Sequence, residues 1–375
     1  MNELDCRNRL DWSFIRRHFL SQTFAIDVRL LNPAMITKTE ISMKQGLLLI
    51  NLGTPTDPTP AAVRTYLREF LSDARVVTLP ALLRYLILHA FILPFRPKQS
   101  AHAYQAIWTE QGSPLRVHSE ALRDQLQQEL NDSHTVVLAM RYGEPSIKNA
   151  LHQLRACPSI SVLPLFPQYA SATTGSCLEY LMTLLRSELI FPSLHIIRDF
   201  HAHPGFIQAQ AALIKPHIES NDYILFSYHG LPCMHLKKIG CNPVCAHACP
   251  TPLAANQACY RAQCQETTRL LAETFGLNDK QHSMAFQSRL GRTPWIKPYT
   301  DFVLPELAAQ GIKRLAVACP SFVADCLETL EEIGLRAKQQ WLELGGESFT
   351  LIPCVNDHHL FVDSIKTMLH LDGNA

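Results

Sequence analysis

Short apolar runs recur along the chain at Leu47 to Ile50, Thr135–Met140, Ser161–Leu165, His195–Ile197, Tyr223–Ser227, Arg314–Ala318 and Ser348–Ile352. Between several of them, Ser119–Leu130, Gly175–Leu189 and Tyr260–Phe275 carry apolar residues at three- and four-residue spacing, the period of a helix with one buried face. Strand, loop, helix and strand in repetition leaves little choice of architecture: parallel sheets covered by helices. A strand gives way to a His/Pro/Gly turn near Asp199-Phe200-His201. The chain therefore reads as two α/β units, 44–200 and 201–370. Residues 1–43 read as an N-terminal extension, with Met43 as an alternative start just ahead of the first run. In folds of this kind ligands sit beyond the carboxyl ends of the strands, so the loops after each run are where chemistry is expected.

Charge narrows the partner. The 34 basic residues nearly balance the 33 acidic ones, which argues against nucleic acid and for a small, chemically specific ligand. The apolar stretch from Leu79 to Phe95 is interrupted by Arg84, His89, Pro94 and Arg96, too soon for a membrane span. It reads either as a buried helix or as an apolar, basic-edged lip beside a cleft. With no secretory signal pattern at the N-terminus, the expected location is cytoplasmic, with peripheral contact at a membrane left open.

Four segments carry candidate chemistry. Ser227-Tyr228-His229-Gly230-Leu231-Pro232 sets an imidazole at a strand's carboxyl end, suited to proton or metal work, or else simply packed there. In Cys319 to Glu332, Asp325, Glu328 and Glu332 fall at three- and four-residue spacing, hence on one helical face. That face is either solvated surface or a carboxylate row lining a crevice. Gln287 to Asp301 mixes Arg289, Arg292 and Lys297 with Trp295 and Tyr299, groups that suit a flat ligand bearing carboxylates. In the fourth segment, Thr173 or Thr174 is placed to cap a helix starting near Gly175. Arg141-Tyr142-Gly143 has a similar position after its own strand.

Taken in order, these segments resemble the ferrochelatases, the iron-inserting enzymes of haem synthesis. The matching segments are Asn51-Leu52-Gly53-Thr54-Pro55, Tyr66 through Asp73, Arg141 through Ser146, and Pro164-Leu165-Phe166-Pro167-Gln168-Tyr169. Ser227 through Pro232, Phe286 through Trp295 and Asp325 through Leu330 complete the series. The resemblance spans about Lys44 to Leu369. It implies two similar Rossmann-like, chelatase-like domains, each a parallel sheet flanked by helices, around a porphyrin cleft. It also implies that His229 is the catalytic histidine and Glu328 the glutamate opposite, both touching Fe2+ in passage, with Glu332 and Asp325 continuing an acidic path. Arg141 and Tyr142 match the opposite, metal-facing wall, and Gln168, Tyr169, Arg289, Arg292 and Trp295 are the expected porphyrin contacts. Leu79–Phe95 matches the family's mobile lip, where the apolar ring arrives from a membrane or from the preceding enzyme of the pathway.

The implied reaction is insertion of Fe2+ into protoporphyrin IX with loss of two protons. Coproporphyrin, cobalt or nickel chelation, and a non-enzymatic haem- or iron–sulfur-binding role are the alternatives. Monomer and homodimer are both compatible with the sequence. Three positions depart from the family pattern: Phe166 for Tyr, Ala170-Ser171-Ala172 for Ser-Ala-Ser, and Ser321 for Gly, a residue less free to take positive φ.

Half of the twelve cysteines lie between Cys233 and Cys264. Cys264 occupies an ordinary family position, whereas 233–259 is an insertion. Some bacterial family members hold an internal [2Fe–2S] cluster in this region. Cys233, Cys241, Cys245 and Cys249 form the tightest set of four, with Cys259 able to replace Cys233. Four thiolates suit an iron–sulfur cluster and suit zinc equally well.

Overall fold

The structure is a computed structural model and describes residues 44–245, 249, 256–291 and 293–370. The N-terminal extension, Arg292 and parts of the cysteine insertion lie outside the described residues.

Among the described residues, eight strands form two all-parallel sheets. β1 (Gln45–Gly53), β2 (His134–Tyr142), β3 (Ser159–Pro164) and β4 (Ser193–Ile196) pair in the order β2-β1-β3-β4. β5 (Tyr223–His229), β6 (His282–Gln287), β7 (Arg314–Ala318) and β8 (Ser348–Leu351) pair as β6-β5-β7-β8. The second sheet thus repeats the strand order of the first. Leu47 to Ile50 in β1, and Ile224 to Phe226 in β5, are buried, as expected of parallel strands covered on both faces.

Apolar periodicity found seven of these strands and missed β6. Its His-Ser-Met-Ala-Phe-Gln sequence is buried only over its last three residues and carries no long apolar run. The helix Tyr260–Phe275 falls on its expected bounds and ends at Gly276, whose φ of 63° supplies the left-handed cap that Gly adopts at little cost. The helix Ser176–Leu185 instead follows a π-helical turn, Ser171–Gly175, and has no side-chain cap. Thr174 is buried and its hydroxyl lacks a hydrogen-bond partner, so the expected threonine cap is not formed.

One hydrophobic core cluster runs through both sheets' helical layers, joining Leu47, Leu122 and Phe206 to Phe226, Phe286 and Phe361. A polar strut adds to it. The buried Gln168, just after β3, donates through Nε2 to Thr267 Oγ1 at 3.1 Å and to the Pro320 carbonyl at 3.2 Å.

Candidate active site

β5 ends at His229, and the local chain is built to hold that residue still. Gly230 donates its N–H to the Gln287 carbonyl at 2.8 Å. A Cβ at Gly230 would stand 2.8 Å from that oxygen and 3.2 Å from the Trp295 ring, so Gly serves here for close approach. The His229 N–H donates to Ser321 Oγ at 2.9 Å, and the Tyr260 hydroxyl donates to the His229 carbonyl at 2.8 Å. Ser321 is not among the residues with positive φ. The departure from Gly therefore strains nothing and contributes a side-chain acceptor.

Within the ring, Nδ1 lies 2.6 Å from the Gly230 carbonyl. A carbonyl can only accept, so Nδ1 carries a proton, and in the neutral ring the lone pair falls on Nε2. Trp295 and Phe322 flank the imidazole, with centroids at 6.5 and 6.1 Å. The Trp295 segment is strapped to the loop after His229 by Ile296 N–H to Leu231 and Cys233 N–H to Pro294, both at 2.9 Å.

Glu328 and Glu332 ride on Leu327–Ala337, an eleven-residue π-helix. Such helices are rare and concentrate at functional sites. Gln287, the register partner of His229, donates through Nε2 to the Glu328 carbonyl at 2.7 Å. One side chain thereby ties the carboxylate helix to the strand pair that ends in the imidazole. Glu332 accepts from the Ser288 N–H at 2.7 Å, and Ser288 holds φ at 65°, a costly conformation for a non-Gly residue. Burial pushes the Glu332 carboxyl above its ordinary range, against the hydrogen bonds from Ser288 and the nearby charges of His229 and Arg336. Glu332 also lines a cavity of about 200 Å³ with Ser288, Arg289 and Arg336.

Asp325 corrects the expectation of three carboxylates on one helical face. It lies before the helix, is 5% exposed, and spends its oxygens on Asn356 Nδ2 at 2.8 Å, Thr329 Oγ1 at 3.0 Å and the Cys354 N–H at 3.4 Å. It anchors the start of the helix.

Arg141 and Tyr142 end β2 in a polar knot. Arg141 reaches Asp73 at 2.8 Å and Ser176 Oγ at 2.7 Å, and the Tyr142 hydroxyl donates to Asp73 at 2.9 Å. Burial by itself would raise the Asp73 pKa. Hydrogen bonds from Ser176, the Arg75 amide and Tyr142, with the Arg141 charge, outweigh it and hold the carboxyl below its usual range. Gly53, at the end of β1, has φ of 114°, and a Cβ there would fall 1.9 Å from the Tyr142 carbonyl.

The expected porphyrin contacts divide. Trp295 stands beside His229. Gln168 is committed to its strut, and the Tyr169 N–H donates to Gln263 at 2.6 Å. Arg289 turns to Asp301 and lies over the rings of Tyr299 and Phe302 at 4.6 and 4.4 Å, which leaves its guanidinium already partnered. Arg292 lies outside the described residues.

Two phenols near the site were not among the candidate residues, although Tyr66 falls in a segment that carries the family resemblance. Tyr66 and Tyr104 are buried within electrostatic reach of Glu328; burial, then neighbouring charge, pushes both phenols well above their ordinary range. Their apolar neighbours Val63 and Ala101 pack with Leu327 and Leu330 of the π-helix. Residues this far apart in sequence meet only through tertiary packing, so helical periodicity reveals nothing of the contact.

The segment 79–95 forms a helix, Ala81–Ile87, and a π-helical turn, Leu88–Ile92. Leu82, Phe91 and Phe95 are 68–72% exposed, which rules out a buried helix. Thr78 Oγ1 lies 3.0 Å from Met234 Sδ, at the start of the cysteine segment. Among the described residues, no helix is long and apolar enough to cross a membrane, and no group of three or more His, Cys, Asp or Glu side chains is placed to hold a metal ion.

Two parallel sheets of the same strand order, flanked by helices, define a chelatase-like duplicated α/β protein. The family model described as ferrochelatase matches residues 44–371. The Legionella pneumophila (strain Lens) protein named ferrochelatase is 54% identical over 328 residues, 88% of this chain and 99% of that one. The Coxiella burnetii (strain Dugway 5J108-111) ferrochelatase is 50% identical over 342 residues, 89% of this chain and 96% of that one. A solved structure of SirB from Bacillus subtilis with Fe3+ aligns at a TM-score of 0.49 and 12% identity, covering 88% of this chain and 95% of that one. The chain belongs to the ferrochelatase family.

Proposed function

We propose that the chain inserts Fe2+ into protoporphyrin IX, forming protohaem and releasing two protons, with His229 as the base and Glu328 as its partner. The observation that carries the assignment of roles is the pairing at the end of β5. The Gly230 carbonyl holds the proton on His229 Nδ1, and Gln287, the register partner of His229, donates to the Glu328 backbone carbonyl.

A flat macrocycle shields its nitrogens, so binding of the rest of the ring must expose the pyrrole N–H bonds. His229 Nε2 then accepts a pyrrole proton as the metal enters. Glu328 faces the metal or the second proton, and Glu332, with the cavity beside it, gives protons a way out. Trp295 lies against the ring. The exposed Leu82, Phe91 and Phe95 suit a membrane surface from which an apolar porphyrin arrives.

The cysteine segment fits a [2Fe–2S] cluster in its chemistry. Its thiols are free, and Cys245 lies within electrostatic reach of Cys249, Cys241 and Cys259, as Cys233 does of Cys241. Asn256 Nδ2 donates to Cys249 Sγ at 3.2 Å. Cys233, Cys241, Cys245 and Cys249 would hold the cluster, with Cys259 the alternative to Cys233 and zinc the competing metal. Such a cluster supplies one-electron chemistry when bound.

The test is an anaerobic assay with Fe2+ and protoporphyrin, repeated with coproporphyrin, on wild type, H229A and E328Q. Both variants are expected to fold and to lose about 10²–10⁴-fold in insertion rate, the usual worth of a positioned acid or base. Near-full activity in either removes its assigned role, and preference for coproporphyrin corrects the substrate.

A further inference from the structure

His229 ends β5 with both of its backbone groups held by hydroxyls from distant parts of the chain. Its N–H donates at 2.9 Å to the hydroxyl of Ser321, in the loop after β7. Its carbonyl accepts at 2.8 Å from the hydroxyl of Tyr260, the first residue of the helix Tyr260–Phe275. Tyr260 is 6% exposed, and its hydroxyl also meets the side chains of Ser321 and Cys264. A thiol is a weak acceptor beside a carbonyl. Burial, then Cys264, pushes the phenol well above its ordinary range, so Tyr260 keeps the proton it donates.

These bonds fall where they control the imidazole. The His229 carbonyl and the Gly230 N–H belong to one planar peptide unit. Tyr260 holds one side of that unit and the Gln287 carbonyl holds the other, at 2.8 Å each. The next carbonyl, that of Gly230, is the acceptor for Nδ1 at 2.6 Å. A glycine's own torsions do little to fix where that carbonyl points. Its aim is inherited from the clamped unit before it. Ser321 stands where the family pattern has Gly, so this chain adds an anchor that the pattern does not require.

The geometry points to Tyr260 and Ser321 as positioning residues for His229. They fix its backbone and, through the Gly230 carbonyl, the neutral tautomer that leaves Nε2 free for a pyrrole proton. This deepens the reading of His229 as the base and rests on it. Both side chains act through His229, so removing either should slow turnover rather than weaken porphyrin binding. Displacing a reacting group by about 1 Å can cost ~10²-fold in rate.

The experiment uses the full chain as wild type, S321A, S321T and Y260F. Anaerobic insertion of Fe2+ gives kcat and the porphyrin KM, and far-ultraviolet circular dichroism follows the fold. Nitrogen-15 spectra of histidine-labelled protein at mildly alkaline pH, with H229A to assign the signal, report the tautomer of residue 229. S321A and Y260F are expected to fold and to lose about 10–100-fold in kcat with KM little changed. Their His229 signal should divide between the two neutral tautomers. S321T keeps the hydroxyl and should keep the wild-type rate and the Nδ1–H signal. Wild-type kcat in a folded S321A or Y260F overturns the role of that residue. A loss confined to KM, or a folded S321T as slow as S321A, overturns the clamp. If Y260F does not fold, S321A and S321T decide in the same way. A wild type that inserts no iron overturns the reading of the reaction, and the spectra then judge the clamp alone. An unchanged Nδ1–H signal in every folded variant overturns it; loss in S321A with return in S321T supports it.

Discussion

Replacing Asp325 with Ala separates scaffold from chemistry in the carboxylate row. The substitution leaves three donors without their acceptor: the half-buried Asn356 Nδ2 and the buried Thr329 Oγ1 and Cys354 N–H. Thr329 has a second acceptor in the Cys326 carbonyl at 3.2 Å, and the Cys354 contact is long. The loss is therefore dominated by Asn356, with smaller shares from the other two. At roughly 1–3 kcal/mol for each orphaned buried group, the sum is about 2–4 kcal/mol, a large part of the ~5–15 kcal/mol that holds a typical domain folded. Taking ~2 °C per kcal/mol for a chain of this size, the thermal midpoint falls by about 4–8 °C. Turnover measured well below that midpoint, by the appearance of protohaem absorbance, should stay within a few-fold of wild type. A D325A protein that melts like wild type but loses about 100-fold in turnover would refute the reasoning and return Asp325 to the acidic path.

Two further perturbations test the charges around the site. D73N strands the Arg141 guanidinium, at 16% exposure, without its carboxylate and should cost about 3–5 kcal/mol in urea unfolding at neutral pH. Because the Asp73 pKa is lowered in the fold, its stabilisation is present above its ordinary value and is lost as pH falls through the lowered one; an acid limb that survives unchanged in D73N contradicts this. Glu332 has the opposite sign. Its pKa is raised by burial, so the folded state binds more protons between the ordinary and raised values, and stability falls as pH rises through that window. E332Q should remove that slope, and identical slopes for E332Q and wild type would sink the assignment.

The architecture was legible because parallel strands buried on both faces announce themselves as unbroken apolar runs. β6 escaped for the converse reason: its first half is only partly covered and mixes His and Ser with apolar residues. His229 was legible because its strand and the Gly/Pro loop after it are contiguous in sequence. The row Asp325, Glu328 and Glu332 was misread, since spacing assumes that a helix spans all three, while this helix begins only at Leu327. Arg289 shows a different limit. Composition of a loop names the cation but not its partner, and Asp301 took it. Tyr104 and Tyr260 gave no sign of a role, and Tyr66 showed only as part of a matching segment, because each matters through a contact with a distant stretch of chain.

The shared core and the Gln168 strut bear on how a rigid disc-shaped guest gets in. Halves stitched together by one continuous apolar interior cannot swing apart like the covers of a book without exposing much of what keeps them folded. Ala81–Ile87, by contrast, buries none of its own side chains and gives up almost nothing when it shifts. A shift of that helix would therefore uncover far less apolar surface than a separation of the two sheets.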